Sequence, residues 1–149
     1  MNREIKFRGK TQKGNWVYGN FVNTISEKSG IEIYRIVPHS IAEFVNLCDD
    51  VALPSSDYNV VPETVEQFTG IKYKNIDNCI CEGDLFYING WENSINECMY
   101  FEQYGVIGYF AHWKNADKIC FFDHFVKIPS VEFYYIGNIH DNPELLTQK

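Results

Sequence analysis

The residues best suited to chemistry are Cys79 and Cys81, separated by one residue, and His112, His124 and His140. His124 follows Asp123 and His140 precedes Asp141. Thiols, imidazoles and carboxylates are the groups that hold metals and move protons. On a strand a C-x-C pair turns both thiols to one face, where Cys98, Cys120 or a histidine could complete a zinc site. Structural zinc needs two ligand pairs, usually at C-x₂₋₄-C spacing, and the second pair is missing. The expectation is therefore buried cysteines acting as small apolar side chains, with no metal and no cofactor. The three histidines fall in separate segments and form neither H-x-H nor H-E-x-x-H. No G-x-S-x-G elbow, phosphate-binding P-loop or G-x-G-x-x-G occurs. Catalysis is the less favoured reading, and a hydrolase built on His124 or His140 is its surviving form.

Binding chemistry is more plausible. The first thirteen residues carry Arg3, Lys6, Arg8, Lys10 and Lys13 against Glu4 alone. The whole chain is at −7, so the other residues together are strongly acidic. That balance disfavours broad binding to a phosphate backbone. The basic start reads either as a contact for an acidic surface or as a solvated edge strand whose charges discourage aggregation. Arg3, Lys6, Arg8, Lys72 and Lys74 form the candidate binding set. Trp16, Trp91, Trp113, Tyr18, Tyr87, Tyr104 and Tyr109 would supply stacking or anchoring surface if exposed, and core if not.

Short strands would position these groups. Aromatics make up 16% of 149 residues, with only two Met, which favours pleated surfaces over a helical bundle. Residues 4–9 alternate, with Ile5 and Phe7 on one side and Lys6 and Arg8 on the other. The Lys13-Gly14-Asn15 turn joins them to Trp16–Val22 as a β-hairpin. Ile31–Val37 is a further strand, stopped by Pro38. A short helix capped by Ser40 is one reading of residues 39–53, and irregular cover for the sheet is the other; a loop follows at 54–62. Pro62 predicts a helical turn over Glu63–Phe68, closed by Gly70. A turn at Lys72–Asn78 follows, and Gly83-Asp84 opens a strand at Leu85–Ile88. Asp84 is read as a turn residue bonding nearby amides, since a lone carboxylate lacks a catalytic partner. Further strands are expected near Glu97–Phe101, Val106–Trp113, Ile119–Ile128 and Val131–Ile139. Asn89-Gly90 and Tyr104-Gly105 give turns, and 114–117 a hairpin loop. Pro143 starts a last helical turn capped by Asn142, and Leu145 and Leu146 would pin it down. The fold class is mainly β: a small SH3-like barrel or strongly curved antiparallel sheet in the C-terminal half, an N-terminal β-hairpin region, and short helical turns. One domain over 1–149 is expected, with subdomains at 1–61 and 62–149 as its natural division.

The opening REIKFRGK, the central TVEQFTGIKYKN…EGDLFYI and the closing YYIGNIHDNPELL resemble, in order and spacing, three landmarks of the YopX-like family of phage and prophage proteins. The centre is similar to a Q-x-T-G-x-K-D-K-N-G-x-x-I-x-E-G-D pattern. Gln67, Thr69, Gly70, Lys72, Lys74, Asn75, Ile80, Glu82, Gly83 and Asp84 fit it, whereas Tyr73, Ile76-Asp77 and Cys81 depart from it. The resemblance implies a largely β fold and a mobile-element origin, and it brings no catalytic residues. Gly70, Gly83, Asp84, Gly137 and Pro143 are taken as its structural motif. The odd cysteine count, the charged N-terminus and the lack of a long apolar run point to a soluble protein in a reducing cell interior, and the resemblance implies that this is the cytoplasm of a bacterial host. The expected function is an accessory protein that binds a protein partner or its own subunits as a homo-oligomer. The alternative is a small barrel that binds a nucleotide or nucleic acid.

Overall fold

The computed structural model describes residues 6–26, 29–38, 58–103, 106–113 and 118–147, apart from the side chains of 101–103, 106–110, 113 and 123. Arg3, the Ser40-capped helix, the 54–62 loop up to 57, the Tyr104-Gly105 turn and the 114–117 loop lie outside the described residues. The described strands make two antiparallel sheets of five strands, in the orders β3-β2-β1-β4-β5 and β10-β6-β7-β8-β9. The chain divides into two compact units, Met1–Gln67 and Phe68–Lys149, and the division falls inside β4.

In the first unit, β1 (Phe7–Lys10) and β2 (Trp16–Ile25) form the expected hairpin, and β3 (Glu32–Val37) pairs with β2. The first two residues of β4 (Glu66–Lys72) pair with Phe7 and Arg8. That pairing corrects the edge-strand reading of the basic start: β1 has neighbours on both sides. The predicted helical turn is also corrected. Pro62 does start a turn, but it is a 3₁₀ turn over Pro62–Thr64, and Glu66–Phe68 are already strand. Pro at the first position fits a helical start because its missing N–H has no intrahelical partner to lose. Thr64 then ends the turn by hydrogen bonding. Its hydroxyl donates to the Val61 carbonyl at 2.7 Å and accepts the Lys10 amide at 2.8 Å. Ile36, Val37 and Val60 are buried, and Phe21 sits between Phe7 and Tyr34, with ring centroids 5.6 and 6.1 Å away.

In the second unit, the rest of β4 pairs with β5 (Cys79–Cys81), with a register shift between Phe68 and Lys72. Gly70 lies within that shift instead of closing a helix. The other sheet holds β6 (Asp84–Ile88), β7 (Asn96–Gln103), β8 (Val106–Trp113), β9 (Lys118–Phe121) and β10 (Phe133–Asn138). Its strands form no closed barrel among the described residues, so the SH3-like closure of the expectation is not found. The strand expected over Ile119–Ile128 is cut at Phe121, and Phe122–Val126 is a short helix. Phe122 and Phe125, three apart on that helix, both drop into the core. There they join Tyr73, Ile80, Phe86, Ile88, Cys98, Ala111 and Phe133.

Asparagine side chains fasten β10 on both sides. Asn75 donates from Nδ2 to the Tyr135 carbonyl and accepts the Tyr135 amide, both at 2.9 Å. On the opposite side, next to β6, Asn89 holds the residues leading into β10: it donates to the Ser130 carbonyl at 2.9 Å and accepts the Glu132 amide at 2.8 Å. A carboxamide offers one donor and one acceptor side by side, so it can stand in for a neighbouring strand's peptide group. Edge strands left open invite other chains, and Asn75 occupies the position such a chain would use at Tyr135.

Candidate functional site

Asp84 is fully buried. Its Oδ2 accepts the Tyr73 hydroxyl and the Cys81 amide, each at 2.9 Å, and its Oδ1 accepts Asn138 Nδ2 at 3.2 Å. The turn at Glu82-Gly83 makes this possible. Gly83 adopts φ 76°, a left-handed conformation that a side chain would resist, and so points Asp84 inward. Strand pairing brings the far partner in, since Asn138 lies opposite Asp84 in the β10–β6 register. Asn138, itself 1% exposed, accepts the His140 amide on Oδ1 at 2.8 Å, and its own amide donates to Asn142 Oδ1 at 3.3 Å. Gly137 keeps the space open, because a Cβ there would stand 2.5 Å from Asn142 Oδ1. The second and third landmarks of the sequence thus meet in one buried network. Burial, followed by the charge and hydrogen bond of Asp84, raises the Tyr73 hydroxyl well above the usual phenol range.

A carboxylate so enclosed has its lone pairs engaged and no route to a substrate. It fixes a corner of the fold. The other chemical candidates are dispersed. Cys81 and Cys98 are buried, while Cys79 and Cys120 are partly exposed. His112 lies on β8, His124 is exposed on the short helix, and His140 follows β10. Among the described residues no three His, Cys, Asp or Glu side chains gather as a metal would require. Glu82 is a half-buried carboxyl whose pKa is raised. Burial raises its pKa, a backbone hydrogen bond at Tyr100 opposes that, and the charge of Glu97 adds to it.

The expected binding set separates by unit. Lys6 and Arg8 belong to the first. Arg8 is 4% exposed and forms an ion pair with Glu66, itself 3% exposed, with Nη2 and Nε both 2.5 Å from Oε2. Its guanidinium also lies 4.7 Å from the centre of the Trp16 ring. Lys72 and Lys74 belong to the second unit, where they line an open groove of about 220 Å³ with Ile71, Tyr73, Val126, Val131, Glu132 and Phe133. Lys74 pairs with Glu132 at 2.9 Å and Lys72 with Asp77 at 3.5 Å, all at the surface. The hydrogen bonds of Glu132 to Lys74 and then Tyr134 lower its pKa. Val126, in the groove lining, is 51% exposed, and Ile128, two residues on, is 41% exposed. The apolar wall at 126, 131 and 133 carried no mark in the sequence, where it read as strand interior. Only the lysines pointed to this place.

The family model for the YopX protein matches residues 6–147, nearly the whole chain, and the chain belongs to that family. No curated protein and no solved structure matches it. No helix among the described residues is long and apolar enough to cross a membrane.

Proposed function

We propose that this YopX-family chain is an accessory protein of phage or prophage origin, working in the bacterial cytoplasm by binding a protein partner at the groove of its second unit. The observation that carries this reading is the contrast between spent and presented side chains. Asp84, Tyr73 and Asn138 face inward with their hydrogen bonds made, as does the Arg8–Glu66 pair. At the groove, aliphatic side chains and two lysines face outward together. Exposed apolar area rimmed by charge is how interaction surfaces are built. The partner is another protein or a second subunit of a homo-oligomer.

The nucleotide or nucleic-acid reading has less support. Arg8 is occupied, the chain is at −7, and the groove falls below the roughly 300–1,000 Å³ of sites that enclose drug-sized ligands. A photoreactive amino acid in place of Val126 tests the choice inside cells, with Ile25, 66% exposed in the first unit, as the control position. The expected result is a discrete protein adduct or self-dimer from position 126 that disappears in Lys72→Glu/Lys74→Glu. No adduct at 126, together with a rise in melting temperature on adding nucleotides or oligonucleotides, would reverse the choice.

A further inference from the structure

The geometry points to β9 as the edge along which a second copy of this chain adds its own β9, joining two sheets into one across a two-fold axis. This surface is separate from the groove and does not depend on it.

The described sheets end on β3, β5, β10 and β9, and three of these edges carry a device against added strands. Along β3, the Val60 amide donates to the Tyr34 carbonyl at 2.9 Å, and Asn59 Oδ1 accepts Arg35 Nε at 2.9 Å. At β5, the amides of Cys79 and Cys81 are taken by the side chains of Asn78 and Asp84, each at 2.9 Å. At β10, the Lys74 amide donates to the Phe133 carbonyl at 2.8 Å, and Asn75 holds Tyr135. β9 has no such device. Lys118, Ile119 and Cys120 pair with Trp113, His112 and Ala111 of β8, and beyond that ladder they make no hydrogen bond or ion pair among the described residues. Peptide groups left open in a row are a template for another strand.

Ordering cost decides what can fill so short an edge. β9 has 4 residues. A flexible segment would surrender its backbone freedom to form this ladder, and a ladder of that length returns little more than is lost. A strand already fixed in a folded sheet surrenders none of it. Such a strand must itself be an unguarded edge, and among the described residues that is β9, present on every copy. Pleating sets the register. Cys120 packs against the core on one face, which leaves Ile119, 38% exposed, and Phe121 on the other. Residues directly opposite share a face, so a two-fold pairing centred on Cys120 sets Ile119 against Phe121 of the partner subunit, twice over. Lys118 is the charged residue of β9, and antiparallel pairing sends the two copies of it to opposite ends. With the other edges closed, a two-fold contact ends the assembly at two copies.

The test is sedimentation velocity of the full chain from micromolar to roughly millimolar concentration, with amide hydrogen exchange at both ends of that range. The expected result is a monomer–dimer equilibrium in which protection of the Lys118–Phe121 amides rises with concentration. Oxidation with diamide should then link the dimer through Cys120, a product lost in Cys120→Ser and kept in Cys79→Ser. Ile119→Lys should weaken the dimer at least about tenfold by lining the edge with cations, with the melting temperature of the monomer unchanged. Lys72→Glu/Lys74→Glu should leave the dimer as it is, which separates this edge from the groove. A monomer at every concentration overturns the inference, as does a dimer that is indifferent to Ile119→Lys or brings no new protection to β9. Assemblies that grow past two copies overturn it as well.

Discussion

Each unit of this protein buries a carboxylate, and the two are stabilised in different ways. Glu66 is neutralised by a full charge, the guanidinium of Arg8. Asp84 accepts three uncharged donors, a phenol, a peptide amide and a carboxamide. The first arrangement depends on charge balance, and removing one partner strands the other charge in the interior. The second depends on geometry, and each lost donor or acceptor costs one hydrogen bond and its desolvation. The same polar residue types therefore serve as scaffolding in two ways, and neither is open to a reactant.

The largest expected effect breaks the charged pair. Glu66→Ala should lower the unfolding free energy by about 3–5 kcal/mol in urea titration, whereas the double change Arg8→Met/Glu66→Leu should recover most of it. Full recovery is not expected from a comparable double change around Asp84, since its three partners come from three elements.

Glycines sharpen the comparison next. A Cβ at Gly19 in the first unit would overlap the Val37 carbonyl, which is backbone. A Cβ at Gly137 would meet the side chains of Asn142 and Leu145, at 2.5 and 3.0 Å. Gly19→Ala should reach the upper end of the roughly 1–3 kcal/mol typical of overpacking, and Gly137→Ala should fall below it, because side chains yield more easily. Melting temperatures of the two variants would rank them.

Tyr73→Phe should cost about 1–2 kcal/mol at neutral pH by removing a donor from Asp84. It should also change the alkaline limb of stability. The folded-state pKa of Tyr73 lies well above the ordinary phenol value of 10.0. Its contribution is complete below that value and is lost as pH rises through the folded pKa, since the unfolded chain releases the proton first. The variant should therefore lose stability less steeply above pH 10, and its phenolate absorbance titration should lack one late-ionising group. The smallest effect belongs to the groove. Lys72→Glu/Lys74→Glu should change stability by less than about 0.5 kcal/mol, because both side chains are at the surface.

Much of the fold was legible where one signal dominated. Alternation marked β1, the glycine turn marked the hairpin, and Pro38 marked the end of β3. Gly83-Asp84 announced a turn and a strand because both residues act locally. Phe121–Val126 misled, since a short aromatic-rich stretch broken only by Asp123-His124 fits a strand as readily as a buried helix. Arg8 misled for another reason. Alternation placed it outward with Lys6, yet Glu66, 58 positions on, supplies the charge that lets it go inward. The partners of Asp84 were hidden in the same way, as Asn138 lies 54 positions away. Tyr73 stood out only as a departure from the family pattern. The groove draws on the end of β4, the short helix and β10, so no single stretch could display it.

The most direct test of the account is the equilibrium unfolding of Asp84→Asn, followed by urea and by heat. The amide keeps the shape but cannot accept at both oxygens, so the Tyr73 hydroxyl or the Cys81 amide loses its acceptor. The predicted result is a loss of about 1–3 kcal/mol with groove binding retained once the protein is folded. An unchanged or raised stability would contradict it, since residues held for reaction at the expense of folding are the ones whose replacement stabilises.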